Sequence, residues 1–293
     1  MDFITGERFQ LLCGTQISIK DFMPYEAKSD KLIDAYSFDF TNYENDNFVY
    51  INNDLIKGPI KPEDLSEESR KTLVFDKEVD IFDKLSNFPN PFTLILHNND
   101  SSFGAEELKY FDIPNCKRIF AQNVTTKDER VIPIPIGIGN ACWPYGYLDG
   151  FKEIDPHVKK TKEVYFNFTI EGGCRDVKRP DCYNRGKELG IEWLKDTDFT
   201  SYLKNLNNYK FILSPEGNGI DCHRTWEALY LKTIPIVDKN PTMEFFSKYF
   251  PMVLVEDWKN FNLEQLEGVY ESADWSNYSL LNFKEYIKHF KIL

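Results

Sequence analysis

Arg224 and Glu227 lie three positions apart, just beyond a glycine-bearing loop, Gly217-Asn218-Gly219, that follows the apolar run Tyr209 to Leu213. These types at this spacing suit an anion and a polyol, because a guanidinium makes paired hydrogen bonds to phosphate and a carboxylate accepts from hydroxyls. The glycines let backbone N–H groups approach a ligand closely. A helix opening near Asp221 adds unsatisfied donors and the positive end of its dipole. Asp221 is the expected N-cap, with Arg224 in the first turn and Glu227 about one turn later. The pattern fits a diphosphate on Arg224 and a ribose on Glu227. The same residues have a plainer reading, since glycine loops commonly precede capped helices and an i, i+3 Arg/Glu pair is often a solvated ion pair. The dinucleotide fingerprint Gly-x-Gly-x-x-Gly is not completed, because its third position is Cys222, and a dehydrogenase is correspondingly disfavoured.

Such a loop needs a strand behind it, and the sequence offers many. Apolar runs occur at Phe92–Leu96, Arg118–Ala121, Val131–Ile136, Glu163–Phe168, Tyr209–Leu213, Thr233–Val237 and Met252–Val255. Continuous apolar runs separated by helical patterns are the mark of parallel strands buried on both faces, so the class is α/β. Phe48–Ile51 reads as a further strand and Asp64 to Lys71 as a short helix. The stretch from Asn140 to Lys162 has neither period and reads as a connection, which predicts two domains, 1–150 and 151–293, with a cleft between them. Leu280 to Ile292 places its apolar residues on one face and predicts a closing C-terminal helix.

Composition narrows the function classes. The formal net charge is −12 over 293 residues, which gives no general attraction to nucleic acid or anionic lipid. Neither a basic-then-apolar leader nor an 18-residue apolar stretch is present, so no secretory signal or transmembrane segment is predicted. The six cysteines are scattered and read as reduced thiols in a cytoplasmic setting. Cys174 and Cys182 lie too far apart for the usual paired zinc spacing. Asp196-Thr197-Asp198 matches an Asp-x-Asp metal motif, but Asp198 precedes the helical stretch Phe199 to Leu206 and reads better as its N-cap. No metal is expected.

The segment Ser214-Pro-Glu-Gly-Asn-Gly through Arg224, Glu227-Ala-Leu and Ile234-Pro-Ile-Val237 resembles the signature of the exostosin-like glycosyltransferases and their viral and bacterial relatives. Two looser patches agree, Ile134-Pro-Ile-Gly-Ile-Gly through Trp143-Pro-Tyr-Gly146 and Phe92 to Ser101, and Thr5 to Gln10 gives a faint match. The resemblance implies two Rossmann-like domains facing a cleft (the GT-B type), a sugar-nucleotide donor in the C-terminal half, an inverting outcome and no obligatory metal. It places Arg224 on the donor phosphates, Glu227 on the ribose or donor sugar, and Gly217, Asn218 and Gly219 as backbone contacts. Glu216, His223, Asn167, Arg175 and Arg185 are further donor-side candidates.

Single displacement needs a base for the acceptor hydroxyl. Asp100, after the buried run Phe92 to Leu96, is the first candidate, since desolvation in a cleft raises a carboxylate's basicity, and His97 is the second. Otherwise the Asn-Asp-Ser-Ser stretch simply caps a helix starting near Ala105. The leading expectation is a UDP-sugar enzyme, xylose being one donor sugar, acting on a glycan acceptor in the cytoplasm, the host's for a viral protein. A GDP-sugar, fucosyltransferase-like enzyme and a non-catalytic nucleotide- or sugar-binding protein are the alternatives.

Overall fold

The computed structural model describes residues 2–17, 45–58, 61, 80–98, 100–140, 146, 148–170, 178–195 and 198–292. The helix expected over Asp64 to Lys71 lies outside them. Two parallel sheets alternate with helices, which fits a Rossmann-like α/β fold. Each sheet belongs to its own compact unit.

The first sheet runs in sequence order through β1 (Cys13–Ile17), β2 (Asn45–Asn52), β3 (Phe92–His97), β4 (Cys116–Ala121) and β5 (Val131–Pro133). Every residue of β3 is buried, because the strand is central and covered on both faces. Leu94 and Leu96 pack with Ile119, Ala121 and Val49, and their neighbour Ile95 is equally enclosed. The expected strand at Val131–Ile136 is shorter than its apolar run, since Pro135 and Gly137 interrupt the extended pattern.

The second sheet runs β6 (Lys162–Tyr165), β7 (Tyr209–Ser214), β8 (Ile234–Asp238) and β9 (Val253–Val255), again parallel and in sequence order. In the described parts of both sheets no strand order reverses, so the common feature of the two is a carboxyl edge rather than a switch point. The helix Phe199–Leu206 forms where expected, with the Asp198 carboxylate accepting from Ser201 N at 2.9 Å and from Ser201 Oγ at 2.8 Å. Asp196 lies outside the described residues. The closing helix is Phe283–His289, preceded by a 3-10 turn at Tyr278–Leu281, and it buries Phe283, Tyr286 and Ile287.

The division between units falls earlier than residue 150. One unit takes Thr5–Ile136 and Asn140–Cys142, and the other takes Met1–Ile4, Gly137–Gly139 and Trp143–Ile292. The reason is local pairing. Phe3 bridges Asn282 in antiparallel fashion, Phe283 N donates to Asp2 O at 2.6 Å, and Ile4 N donates to the Tyr230 hydroxyl at 2.8 Å. Gly137 sits beside this short segment at φ +67°, where an added Cβ would lie 2.2 Å from the carbonyl oxygen of Ile4. Both the left-handed backbone and the close approach therefore require glycine.

Lys160 joins three elements at the other end of the second sheet. Its buried ammonium donates to Asn207 O at 2.7 Å, Asn207 Oδ1 at 2.8 Å and Leu231 O at 2.6 Å, satisfying carbonyls at the ends of two helices. Lys160→Met removes all three donors and leaves their acceptors buried, so urea unfolding should show a loss of about 2–4 kcal/mol, whereas an exposed lysine such as Lys159 should tolerate the same change within about 0.5 kcal/mol.

Candidate functional site

The carboxyl edge of β6, β7 and β8 gathers most of the chemistry in the second unit. After Ser214 the chain enters the loop Pro215 to Asp221 and then the helix His223–Tyr230. Ser214 Oγ bonds Thr225 Oγ1 at 2.9 Å, which ties the end of the strand to the first turn of the helix. Within the loop Gly217 N donates to Gly219 O at 3.0 Å, so the two glycines close a tight reversal while Asn218 stays exposed at its tip.

The expected cap is displaced by one residue. Cys222 is the N-cap, but its thiol donates to Pro215 O at 3.5 Å and accepts nothing from the helix, so the first turn lacks the acceptor that Asp, Asn, Ser or Thr would supply. Asp221 is buried instead, its two carboxylate oxygens accepting from Trp226 Nε1 at 2.8 and 3.0 Å. Indole burial explains the exchange, because Trp226 is fully enclosed and its N–H needs a partner.

Arg224 occupies the first turn as expected. Its Nη2 donates to Pro215 O at 3.2 Å, and its guanidinium carbon lies 5.3 Å from the centre of the Phe168 ring. Its Nε is buried without any hydrogen-bond partner among the described residues. Glu227, one turn on, is 5% exposed and accepts from the Tyr202 hydroxyl at 2.9 Å. Burial raises its pKa to about 7, against the lowering effects of that hydrogen bond and of Arg224. Tyr202 is driven well above the ordinary phenol range, first by burial and then by the neighbouring Glu227. Arg224 and Glu227 do not form the solvated ion pair that their spacing allowed.

His223 donates or accepts at 2.7 Å with the carbonyl oxygen of Gly137, and since a carbonyl can only accept, Nδ1 carries the proton. Burial lowers the histidine to about 4, outweighing the raising effect of that bond. The ring is therefore neutral near pH 7.

Other donor-side candidates divide. Asn167 follows β6 and donates to the Tyr165 hydroxyl at 3.2 Å, close to the Tyr165–Tyr202 ring pair. Glu216 is buried, its carboxylate accepting from Asn240 Nδ2 at 3.0 Å and its N–H donating to Asp238 Oδ2 at 2.8 Å, so it anchors the loop. Arg185 lies in the last turn of the helix Lys178–Glu188, where Nε donates to Phe261 O at 2.6 Å and Nη1 pairs with Glu188 at 3.0 Å. It braces that helix and does not join the loop. Arg175 lies outside the described residues.

The residue that does reach the loop is Arg179, at the opposite end of Arg185's helix. Its Nη2 is 2.4 Å from where a Cβ on Gly217 would stand, and its Nη1 donates to Thr169 O at 3.1 Å. Arg179 and Tyr202 were not singled out in the sequence. The signal for Arg179 was its place at the start of the first helix after β6, the carboxyl edge of a parallel sheet. Tyr202 carried no such signal, because an aromatic on an amphipathic helix reads as core.

On the first sheet, neither base candidate meets its expected setting. His97 is fully buried, with Nε2 at 2.9 Å from Pro135 O and Nδ1 accepting from Asn98 N at 2.7 Å. Both nitrogens are spent on backbone groups, which makes it a structural histidine. Asp100 is exposed, so the desolvation expected to raise its basicity is absent. It caps no helix either, since the 3-10 turn Glu106–Asp112 is capped at Ala105.

Titration of His223 and Glu227 should act on stability in opposite senses. The lowered histidine contributes stability that is complete above about pH 6.5 and is lost as pH falls towards 4, while the raised glutamate contributes stability that is complete below about pH 4.5 and is lost as pH rises through 7. In the native protein the two slopes largely offset. Urea midpoints measured from pH 4 to 8 should therefore rise with pH in Glu227→Gln and fall with pH in His223→Gln, and parallel profiles in the two variants would refute the assignment.

No protein-family model and no curated protein matches the chain.

Proposed function

We propose that the chain is a glycosyltransferase of the two-Rossmann type that moves a sugar, xylose being one, from a UDP-sugar to a glycan acceptor in the cytoplasm. The observation that carries the reading is Arg224, a guanidinium at the carboxyl edge of a parallel sheet whose Nε is buried with no acceptor among the described residues. A buried donor without a partner costs about 1–3 kcal/mol, more on a charged group, and a bound diphosphate would remove that cost. The uncapped first turn of the same helix adds N–H donors and positive dipole.

In this reading the diphosphate lies on Arg224 and the loop N–H of Gly219, with Gly217 closing the loop through its own bond to Gly219 O and Asn218 at the rim. Glu227 takes a ribose hydroxyl while Tyr202 fixes its carboxyl. The departing UDP is stabilised by Arg224 and the helix N-terminus, a task that needs no divalent ion. Attack by the acceptor hydroxyl from the opposite face inverts the anomeric centre and passes that hydroxyl's proton to a base, for which solvent-exposed Asp100 stays the first candidate because both nitrogens of His97 are engaged.

Arg224→Ala should weaken binding of UDP-sugar by about 1.5–3 kcal/mol in titration calorimetry, yet keep or raise the melting temperature, because the variant loses a partnerless buried donor. Glu227→Gln should cost less, since a neutral amide still accepts one hydroxyl. Unchanged affinity in folded Arg224→Ala would remove the donor site.

Transfer assays with Asp100→Asn should show turnover lowered by roughly 10² to 10⁴ at unaltered donor affinity, the usual worth of a general base. His97→Gln should act through stability, with the folded fraction retaining its turnover. Full turnover in Asp100→Asn would take the base away from this residue.

A further inference from the structure

At the end of its sheet opposite the Arg224 loop, the second unit carries a groove of about 880 Å³. Lys210 and Lys232 stand on it near the starts of β7 and β8, and Trp275 forms part of its wall. From its first residue to its last, the six-residue strand β7 separates this groove from the loop by about 17 Å, five rises of roughly 3.3 Å. It is therefore independent of the donor reading.

Charge on this surface opposes that of the chain. Four lysines, Lys159, Lys160, Lys210 and Lys232, line the groove against two carboxylates, Glu163 and Glu271, in a protein of formal net charge −12. Two of the four are already engaged. Lys160 is spent on Asn207 and Leu231, and Lys210 pairs with Glu271 at 3.1 Å and Glu163 at 3.5 Å.

Lys159 and Lys232 have no carboxylate at ion-pair distance among the described residues. Lys232 is nevertheless held in place. Its backbone is left-handed at φ 53°, its ammonium lies 3.4 Å from His157 Nδ1, and it sits 4.8 Å from the centre of the Tyr278 ring.

Trp275 completes the set. It packs from one side on the core that contains Phe211 and Trp258, meets Tyr278 edge-on at 6.2 Å, and donates no hydrogen bond to any described residue. An aromatic face, an unspent indole N–H and two un-neutralised ammonium groups favour a ligand with C–H ring faces, hydroxyls and negative charge. Flexible point charges also suit anions at variable spacing better than arginine forks do. The volume is in the range of sites for extended small molecules and exceeds the need of one inorganic anion.

We propose that this groove binds an anionic saccharide, with a sugar ring against Trp275 and its acidic groups on Lys159 and Lys232. Titration calorimetry on the whole chain tests it with oligosaccharides carrying carboxylate, sulfate or phosphate, a neutral oligosaccharide of equal length, and inorganic phosphate. At least one acidic oligosaccharide should bind, with affinity falling steeply as salt is added, and the arm that binds identifies the anion. The double variant Lys159→Gln/Lys232→Gln should weaken that binding about tenfold or more at an unaltered melting temperature, and Trp275→Ala should weaken it independently. UDP affinity should be unchanged in the double variant, and saccharide affinity unchanged in Arg224→Ala, so loss of the donor reading would leave this site standing. Failure of all three acidic oligosaccharides to bind, equal binding of the neutral one, equal competition by inorganic phosphate, or undiminished binding in the double variant would each overturn it.

Discussion

The carboxylate of Asp238, at the end of β8, accepts from three directions and fixes the carboxyl edge of the second sheet. Trp258 Nε1 donates to one oxygen at 2.8 Å, Lys178 Nζ lies 3.3 Å from the same oxygen, and Glu216 N donates to the other at 2.8 Å. Asp238 is 1% exposed, so this buried carboxyl group depends on those three donors for its hydrogen bonds. The loop after β7 starts from one of these bonds. The helix that carries Arg179 starts from another. With the loop fixed at Glu216, Pro215 O is held where Arg224 Nη2 meets it, and the guanidinium comes to rest on Phe168.

Burial then sorts the charged groups around that edge. Glu227 has a tyrosine hydroxyl for company and is shifted towards its protonated form; His223 has a carbonyl and is shifted towards its neutral form. Arg224 gives one bond to Pro215 O, while its buried Nε meets no acceptor among the described residues. Burial thus shifts both titratable groups, Glu227 and His223, towards their neutral forms.

The strands were legible because a parallel strand covered on both faces must be apolar at successive positions, as β3 and β7 are. The Asp198 cap was legible because the residues that cap it are local. Non-local demands were not. Asp221 reads as a cap from its neighbours, and only the buried Trp226 indole, brought over it by the fold, takes it away. Arg185 and Arg179 are equally plausible by composition, and the choice depends on which end of one helix meets Gly217. The transfer of residues 2–4 and 137–139 to the second unit was hidden for the same reason, since it depends on a bridge to Asn282.

That bridge also orders events in time. A polypeptide emerges from the ribosome amino end first, and domains generally fold as they appear. The first sheet can assemble from residues 5–136 without waiting, but Phe3 and Ile4 have no place to dock until Tyr230, Leu281 and Asn282 have been made. The second unit is thus sealed by a segment synthesised long before it. Slow or interrupted translation would hold Phe3, 7% exposed in the finished fold, in solvent for the whole interval. Late synthesis, rather than the first sheet, then sets when the last of this apolar surface is covered.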